Sequence, residues 1–427
     1  MKVLQSIWDG GGNTSPQLAI GRELRARGHE VTVLGNRVQR ERVEREGLRF
    51  RPYRRAPDAD SSSRETDLLR DWEAKTPLGA FARLRDRLMY GPAELFARDV
   101  LDALEADSAD VVVWDYLLLG AGLGAERAGL PSVAVIHHIN PIPRDGVPPF
   151  GPGFPPANGK PGELRDAVVR RVLERSFMPG LAALNRARAD LGLPPLDGPF
   201  DQLLDSDLVL VLTSTALDFE GTLPPNVRYT GPALGAAASA EWDSPWAPDD
   251  DRPLVVASFS TTYMDQQDLA ERTVEALAAL PVRGLLTAGR AIDPSRLPAA
   301  PNVEVREFVP HSAVFDEASL VVTHAGMGTV HAALAAGVPL LCIPDGRDQN
   351  DIAIRVATRG AGIHVRRSAK APAIRRAIEA ALADEGLRRE AERLGQVLRN
   401  ENGAVRSADA LEAVAATAQH QPRNGPD

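Results

Sequence analysis

Apolar residues arrive in short blocks, separated by stretches in which they recur every three or four positions. Val3–Ile7 is the first strand-like block. From Pro16 to about Arg27, Leu18, Ile20 and Leu24 supply a helical apolar pattern, and Gly28 closes the helix. Val31–Leu34 then reads as a second strand. Such a β–α–β unit makes its two strands parallel, joined by a right-handed crossover. The same alternation predicts strands at Val111–Trp114, Val133–Ile136 and Leu208–Leu212. It resumes at Leu254–Phe259, Gly284–Ala288, Val303–Glu307, Leu320–Thr323 and Leu340–Ile343, with helices between. Arg51 to about Arg87 is polar and charge-rich, a surface excursion with helices. Ile139 to Gly162 is a long Pro/Gly-rich loop, and loops of that length inside a domain are usually functional or disordered.

The alternation falls into two halves. Residues 1–220 form a first domain, 221–252 a linker rich in Pro, Ala, Gly and Asp, and 253–400 a second domain. Residues 401–427 are a last helix, which can pack back on the first domain, and a polar tail. The fold class is α/β: two Rossmann-like domains, each a parallel sheet covered by helices. They face a cleft in which ligands meet the carboxyl ends of the strands.

Charge narrows the partners. The 427-residue chain carries a formal net charge of −9, which argues against nucleic acid or an anionic membrane as the main partner. A local phosphate site stays open, because helix ends bind phosphate without net positive charge. The single cysteine, Cys342, lies in an apolar strand and cannot form an internal disulfide. The start, MKVLQSIWDGGG, has only a short apolar stretch broken by Asp9 and does not read as a secretion signal. The uncharged stretch Leu320–Pro344 holds histidines, glycines and Pro339, so it reads as strand, loop, helix and strand rather than a membrane span. The expected location is the cytoplasm. A homodimer is compatible with the sequence but not required by it.

The strongest chemical signal is LVVTHAGMGTVHAALAAGVPLLCIPDGRDQ, Leu320 to Gln349. An apolar strand ends at His324. Gly326 and Gly328 then allow a tight turn and close approach to a ligand. Thr329 opens a helix whose free N–H groups suit a diphosphate. Asp348 and Gln349 follow the next strand on the same rim, a carboxylate and an amide placed to grip sugar hydroxyls.

The run His324-Ala325-Gly326-Met327-Gly328-Thr329, then Gly337-Val338-Pro339 and Asp348-Gln349, resembles the donor signature of family 1 glycosyltransferases of the GT-B fold, above all the bacterial members that decorate antibiotics. Phe308-Val309-Pro310-His311 resembles the segment that holds the nucleotide base, and Ser258-Phe259-Ser260-Thr261 the loop after the first donor-domain strand. The resemblance implies that a dTDP- or UDP-sugar serves as co-substrate, with no cofactor and no metal. It places the diphosphate at His324, Gly326, Met327, Gly328 and Thr329, and the sugar at Asp348 and Gln349. The nucleotide falls to Ser260, Thr261, Phe308 and His311. It further implies inverting transfer to a small, apolar natural-product acceptor.

One position departs from the family. Its first loop normally reads Gly-His-X-X-Pro, the histidine being the general base. Here Gly12-Asn13-Thr14-Ser15-Pro16 puts an amide there, and an amide has no useful proton-accepting site. Asp115 occupies the family's position for the aspartate that orients the histidine, and without it could face the acceptor directly. Asp9, His137 and His138 end strands on the same rim. All four remain candidates for the base, as does the absence of any protein base. Trp8, Tyr116, Phe150 and Phe154 are candidates for the acceptor wall. Other readings are a sugar-nucleotide epimerase and a non-catalytic homologue that binds a nucleotide sugar. A nicotinamide enzyme fits poorly, since the second strand ends at Gly35-Asn36 rather than at an acid.

Overall fold

The computed structural model describes residues 1–235 and 242–420. Within them, the first sheet contains β1 (Lys2–Ser6), β2 (Glu30–Gly35), β3 (Arg49–Pro52), β4 (Val111–Asp115), β5 (Ser132–Ile136), β6 (Leu208–Val211) and β7 (Val227–Tyr229). The second contains β8 (Leu254–Ser258), β9 (Arg283–Thr287), β10 (Val303–Arg306), β11 (Ala318–Thr323), β12 (Leu340–Cys342) and β13 (Gly362–His364). Their orders are β3-β2-β1-β4-β5-β6-β7 and β10-β9-β8-β11-β12-β13. Neighbouring strands pair in parallel, as the β–α–β pattern predicts; Gln5 on β1, for example, lies between Val33 and Val113.

The first sheet is accompanied by helices α1 (Thr14–Ala26), α2 (Arg40–Arg45), α3 (Pro77–Leu84), α4 (Ala93–Ala106), α5 (Leu119–Arg127), α6 (Gly159–Asp190) and α7 (Asp201–Leu204). The second has α8 (Gln267–Ala278), α9 (His311–Val314), α10 (Met327–Ala335), α11 (Gln349–Thr358), α12 (Ala371–Ala383) and α13 (Glu385–Glu401); α14 (Gly403–His420) ends the described chain. Alternate residues of each strand feed opposite faces, because side chains in a strand alternate. Val111, Val113, Val133 and Val135 pack with α1 and α14, whereas Val112, Trp114, Ala134 and Ile136 pack toward α4 and α5. In the second sheet Leu254, Val256 and Val321 pack with α10, α11 and α13, and Val255, Ala257 and Val322 with α8 and α12.

Several expectations need correction. The expected linker starts too early: β7 hydrogen-bonds to β6, so the chain leaves the first sheet only after Tyr229. Residues 236–241 of that expected linker, and the expected polar tail at 421–427, lie outside the described residues. The excursion from Arg51 hides the edge strand β3, and residue 159 of the expected long loop already opens α6. The final helix does return to the first sheet. Ala408 and Leu411 join its core, and Arg27 pairs with Asp409 at 2.6 Å and Glu412 at 3.0 Å.

Candidate active site

The loops after β1, β4, β5, β8, β11 and β12 converge on one cleft between the sheets, with a volume of about 2030 Å³. That exceeds the ~300–1,000 Å³ of an ordinary small-molecule pocket. It leaves room for two substrates side by side.

On the second-sheet wall, β11 runs into α10 through Ala325, which is buried and sits at φ +66°, a left-handed conformation unusual for alanine. The tight turn is thus made by Ala325 and not by the glycines. Their role is space. A Cβ on Gly326 would lie 2.4 Å from His324 Nε2, while a Cβ on Gly328 would meet nothing within 4 Å. Gly328 therefore leaves the helix mouth bare toward the cleft. The helix begins at Met327, with Gly326 as N-cap, so Thr329 sits inside the first turn instead of opening it. Burial lowers the pKa of His324 to about 4, which keeps its imidazole neutral and able to donate one hydrogen bond. Met327 and Thr329 also line the cleft.

Ser260 and Thr262 share a 2.8 Å hydrogen bond between hydroxyls. Thr261 faces the first-sheet loop: a Cβ on Gly11 would lie 2.8 Å from its Oγ1. Phe308 is 76% exposed at the cleft rim, a free aromatic face. His311 accepts or donates at 3.1 Å with Ser258 Oγ and stacks on Phe315 at 4.4 Å. Gln349 lines the cleft, and its Oε1 accepts from Asp345 N at 2.9 Å, which holds the loop before α11. Asp348, the N-cap residue of α11, lines the cleft, and its charge acts on His137 and Tyr116 across it.

On the first-sheet wall, the expectation that Asp115 faces the acceptor is overturned. Its side chain has 0% exposure. Its Oδ2 accepts from Asn13 Nδ2 at 2.9 Å and Gln17 Nε2 at 2.8 Å, and Oδ1 accepts from Leu117 N at 3.1 Å. Burial raises its pKa to about 6, against these hydrogen bonds, which lower it. Asp9 is held by Ser61, whose backbone N and Oγ both donate to Oδ2, at 2.8 and 2.9 Å. His138 uses both ring nitrogens. Nδ1 donates to the Ile139 carbonyl at 2.6 Å, which leaves Nε2 to accept from Tyr116 Oη at 2.7 Å.

His137 differs. Its Nδ1 is buried without a hydrogen-bond partner, 3.5 Å from Asp115 Oδ2, while the ring lines the cleft. Burial lowers its pKa to about 3, with His138 adding to the effect and Asp348 opposing it. The imidazole is therefore neutral at ordinary pH. Contacts of this length commonly tighten only in a substrate complex.

Trp8, Tyr116 and Phe150 line the cleft as expected. Phe154 does not: Arg165 covers its ring at 4.5 Å, away from the cavity. Part of the apolar wall was not anticipated. Phe81 and Leu84 of α3, and Val172, Leu173 and Phe177 of α6, complete it. Gln17 was also missed, although Asn13 and Gln17, four residues apart at the start of α1, share one helical face.

Two parallel sheets that meet over such a cleft, with a bare helix mouth on one wall, have the GT-B architecture. Residues 272–409 match the family model described as "Erythromycin biosynthesis protein CIII-like, C-terminal domain". The chain is 32% identical over 420 residues to 4'-demethylrebeccamycin synthase of Lentzea aerocolonigenes, covering 97% of this chain and 99% of that one. Demethyllactenocin mycarosyltransferase of Streptomyces fradiae is 26% identical over 94% of this chain and 84% of its own. Among solved structures, a calicheamicin glycosyltransferase superposes with a TM-score of 0.77 at 22% identity, with 99% of each chain covered. The chain belongs to the antibiotic-type, nucleotide-sugar-dependent glycosyltransferases of the GT-B fold. No described helix is long and apolar enough to cross a membrane.

Proposed function

We propose that this glycosyltransferase moves a sugar from a dTDP- or UDP-sugar to a broad, apolar acceptor, with inversion at the anomeric carbon and with His137 as general base. On this reading the diphosphate meets the amino end of α10, where free N–H groups and the helix dipole stabilise the leaving charge in place of a metal ion. His324 donates to a phosphate oxygen, Phe308 stacks on the base, and Asp348 holds the sugar. The acceptor lies against Trp8, Tyr116, Phe150 and the α3/α6 wall. Its nucleophile loses a proton to His137 Nε2 as it attacks opposite the diphosphate. Asp115 steadies the imidazolium through Nδ1. Asn13 takes no proton: its amide ties Asp115 in place.

The observation that carries the reading is the placement of His137: its ring lines the cleft, and its unbonded Nδ1 lies 3.5 Å from the buried Asp115 carboxylate. A glycosyltransferase of similar fold, VinC, was solved in complex with dTDP (TM-score 0.69, 19% identity), which supports trying that donor first. The test is release of nucleoside diphosphate with a panel of flat and macrocyclic hydroxylated acceptors, and the anomeric configuration of the product by NMR. His137→Ala is expected to lower kcat by about 10²–10⁴-fold, while nucleotide affinity by calorimetry stays within twofold. Retention of full turnover would remove His137 from the role, and a product of unchanged configuration would remove the single displacement.

A further inference from the structure

The Pro/Gly-rich loop that follows the two histidines does not stay in its own domain. Gly151 N donates to Asp351 Oδ2 at 2.6 Å, and Asp351 lies in the first turn of α11, on the second sheet. The carboxylate is 1% exposed, and its other oxygen lies 3.7 Å from Arg355 Nη1. Burial raises the pKa of this carboxyl to about 7, against the Arg355 guanidinium and the Gly151 N–H, which lower it; in either protonation state an oxygen can accept from Gly151. Gly153, at φ +69°, comes so close that an added Cβ would lie 2.7 Å from the Asn350 carbonyl oxygen. The loop thus lies backbone to backbone on the helix that Asp348 caps.

The residue between His138 and this contact is informative. The Phe150 ring stacks on His138 at 5.5 Å and 11°, and it also packs against the apolar core of the second sheet. His138 in turn meets His137 edge-on at 4.9 Å. One short path therefore runs from the first turn of α11 through Gly151 and Phe150 to the imidazole pair. Asp348 and Asp351 are separated by less than one helical turn, so any shift of one carries the other with it.

We propose that Asp351 is a positioning residue: by strapping Gly151–Gly153 to α11, it sets the acceptor wall at Phe150 and the histidines according to where the sugar-binding turn sits. The inference rests on the reading of α11 as the sugar end of the site. It goes beyond that reading in making acceptor binding depend on a contact between the two sheets.

Removal of the strap should loosen the acceptor side and admit water, while the nucleotide end is untouched. Asp351→Ala is expected to raise the acceptor KM at least tenfold and to increase acceptor-independent hydrolysis of the sugar donor. Affinity for the nucleoside diphosphate should stay within twofold. Asp351→Asn keeps an oxygen that can accept from Gly151 and should restore most of the acceptor KM. Gly153→Ala attacks the same contact from the other side, and the double variant with Asp351→Ala should be no worse than the more severe single one. Hydrogen exchange at Gly151–Gly153 gives a reading that needs no turnover: a non-hydrolysable phosphonate analogue of the sugar donor, which carries the sugar to the Asp348 turn, should slow exchange there in the wild type and not in Asp351→Ala. Unchanged acceptor KM and exchange in Asp351→Ala, or defects that multiply in the double variant, would overturn the strap. A failure of the base assignment shows separately, as full turnover in His137→Ala with the strap variants still defective.

Discussion

Asp115 is asked to hold three side chains at once. Asn13 and Gln17 bond to one oxygen, His137 approaches the same oxygen at 3.5 Å, and no water reaches the carboxylate. Burial raises its pKa to about 6, so ionising it in the fold costs roughly 3 kcal/mol relative to an exposed aspartate. The sign follows from linkage: with the folded pKa above the unfolded value, the stability held by the protonated form is present below about pH 4 and is lost as pH rises through about 6. Activity on the proposed reading runs the other way, because only the ionised form steadies an imidazolium. The value of kcat/KM is therefore expected to rise through a single ionisation near pH 6 and then level off. Gln17→Leu removes one donor that favours the ionised form, and should move that limb upward by about one unit or less. A pH–rate profile checks both; a limb unmoved in Gln17→Leu would show that another group sets it.

At the scale of elements, α10 separates stability from binding. Gly328 faces open space at the helix mouth, and its φ is not in the left-handed region. A side chain there strains nothing and replaces a poor helix former. Gly328→Val is thus expected to leave the melting temperature unchanged or slightly higher, yet to weaken nucleoside diphosphate binding at least tenfold, about 1.4 kcal/mol, as calorimetry would register. The sequence revealed this element and its strand because β11 and β12 are buried apolar runs flanked by glycine and proline. Edge strands were hidden for the opposite reason. Arg49–Pro52 and Val227–Tyr229 are short, partly exposed and carry arginines, so no apolar block marks them. Helix α6 was obscured by Pro179 in its interior and by its many charges. The acceptor wall it shares with α3 was lost with it. His137 was in view as one of four candidates, but the choice needed distances: no sequence pattern distinguishes an imidazole whose nitrogens are both bonded from a neighbour whose nitrogens are not.

For the molecule as a whole, the two sheets are joined unequally at the two ends of the cleft. At the mouth, Arg347 pairs with Asp71 at 2.6 Å, and both remain partly exposed. At the rear, Asp218 is 1% exposed and lies at the centre of a network that crosses between domains. It accepts from Arg355 Nε at 2.6 Å, Tyr229 Oη at 2.6 Å, Asn140 N at 3.1 Å and Arg144 Nη2 at 3.3 Å. Burial alone would raise its pKa, but the two guanidiniums outweigh it and hold the carboxylate below its usual range. Its contribution to stability is accordingly present above about pH 4 and is lost as pH falls through the lowered value. Loss of one partner from a buried ion cluster leaves the others uncompensated and costs about 3–5 kcal/mol, whereas a partly exposed pair is worth about 1 kcal/mol or less. Asp218→Ala is therefore expected to lower the melting temperature markedly, with Asp71→Ala nearly silent in the same scan. The order should reverse when release of bound nucleotide is timed by stopped flow. Asp71 ties an excursion of the first domain to the loop just before Asp348, so its loss opens the mouth, while Asp218 ties α11 to the segment between β6 and β7 and touches neither that loop nor the α10 mouth. Equal melting temperatures for the two variants would mean that the rear network is not what fixes one domain on the other.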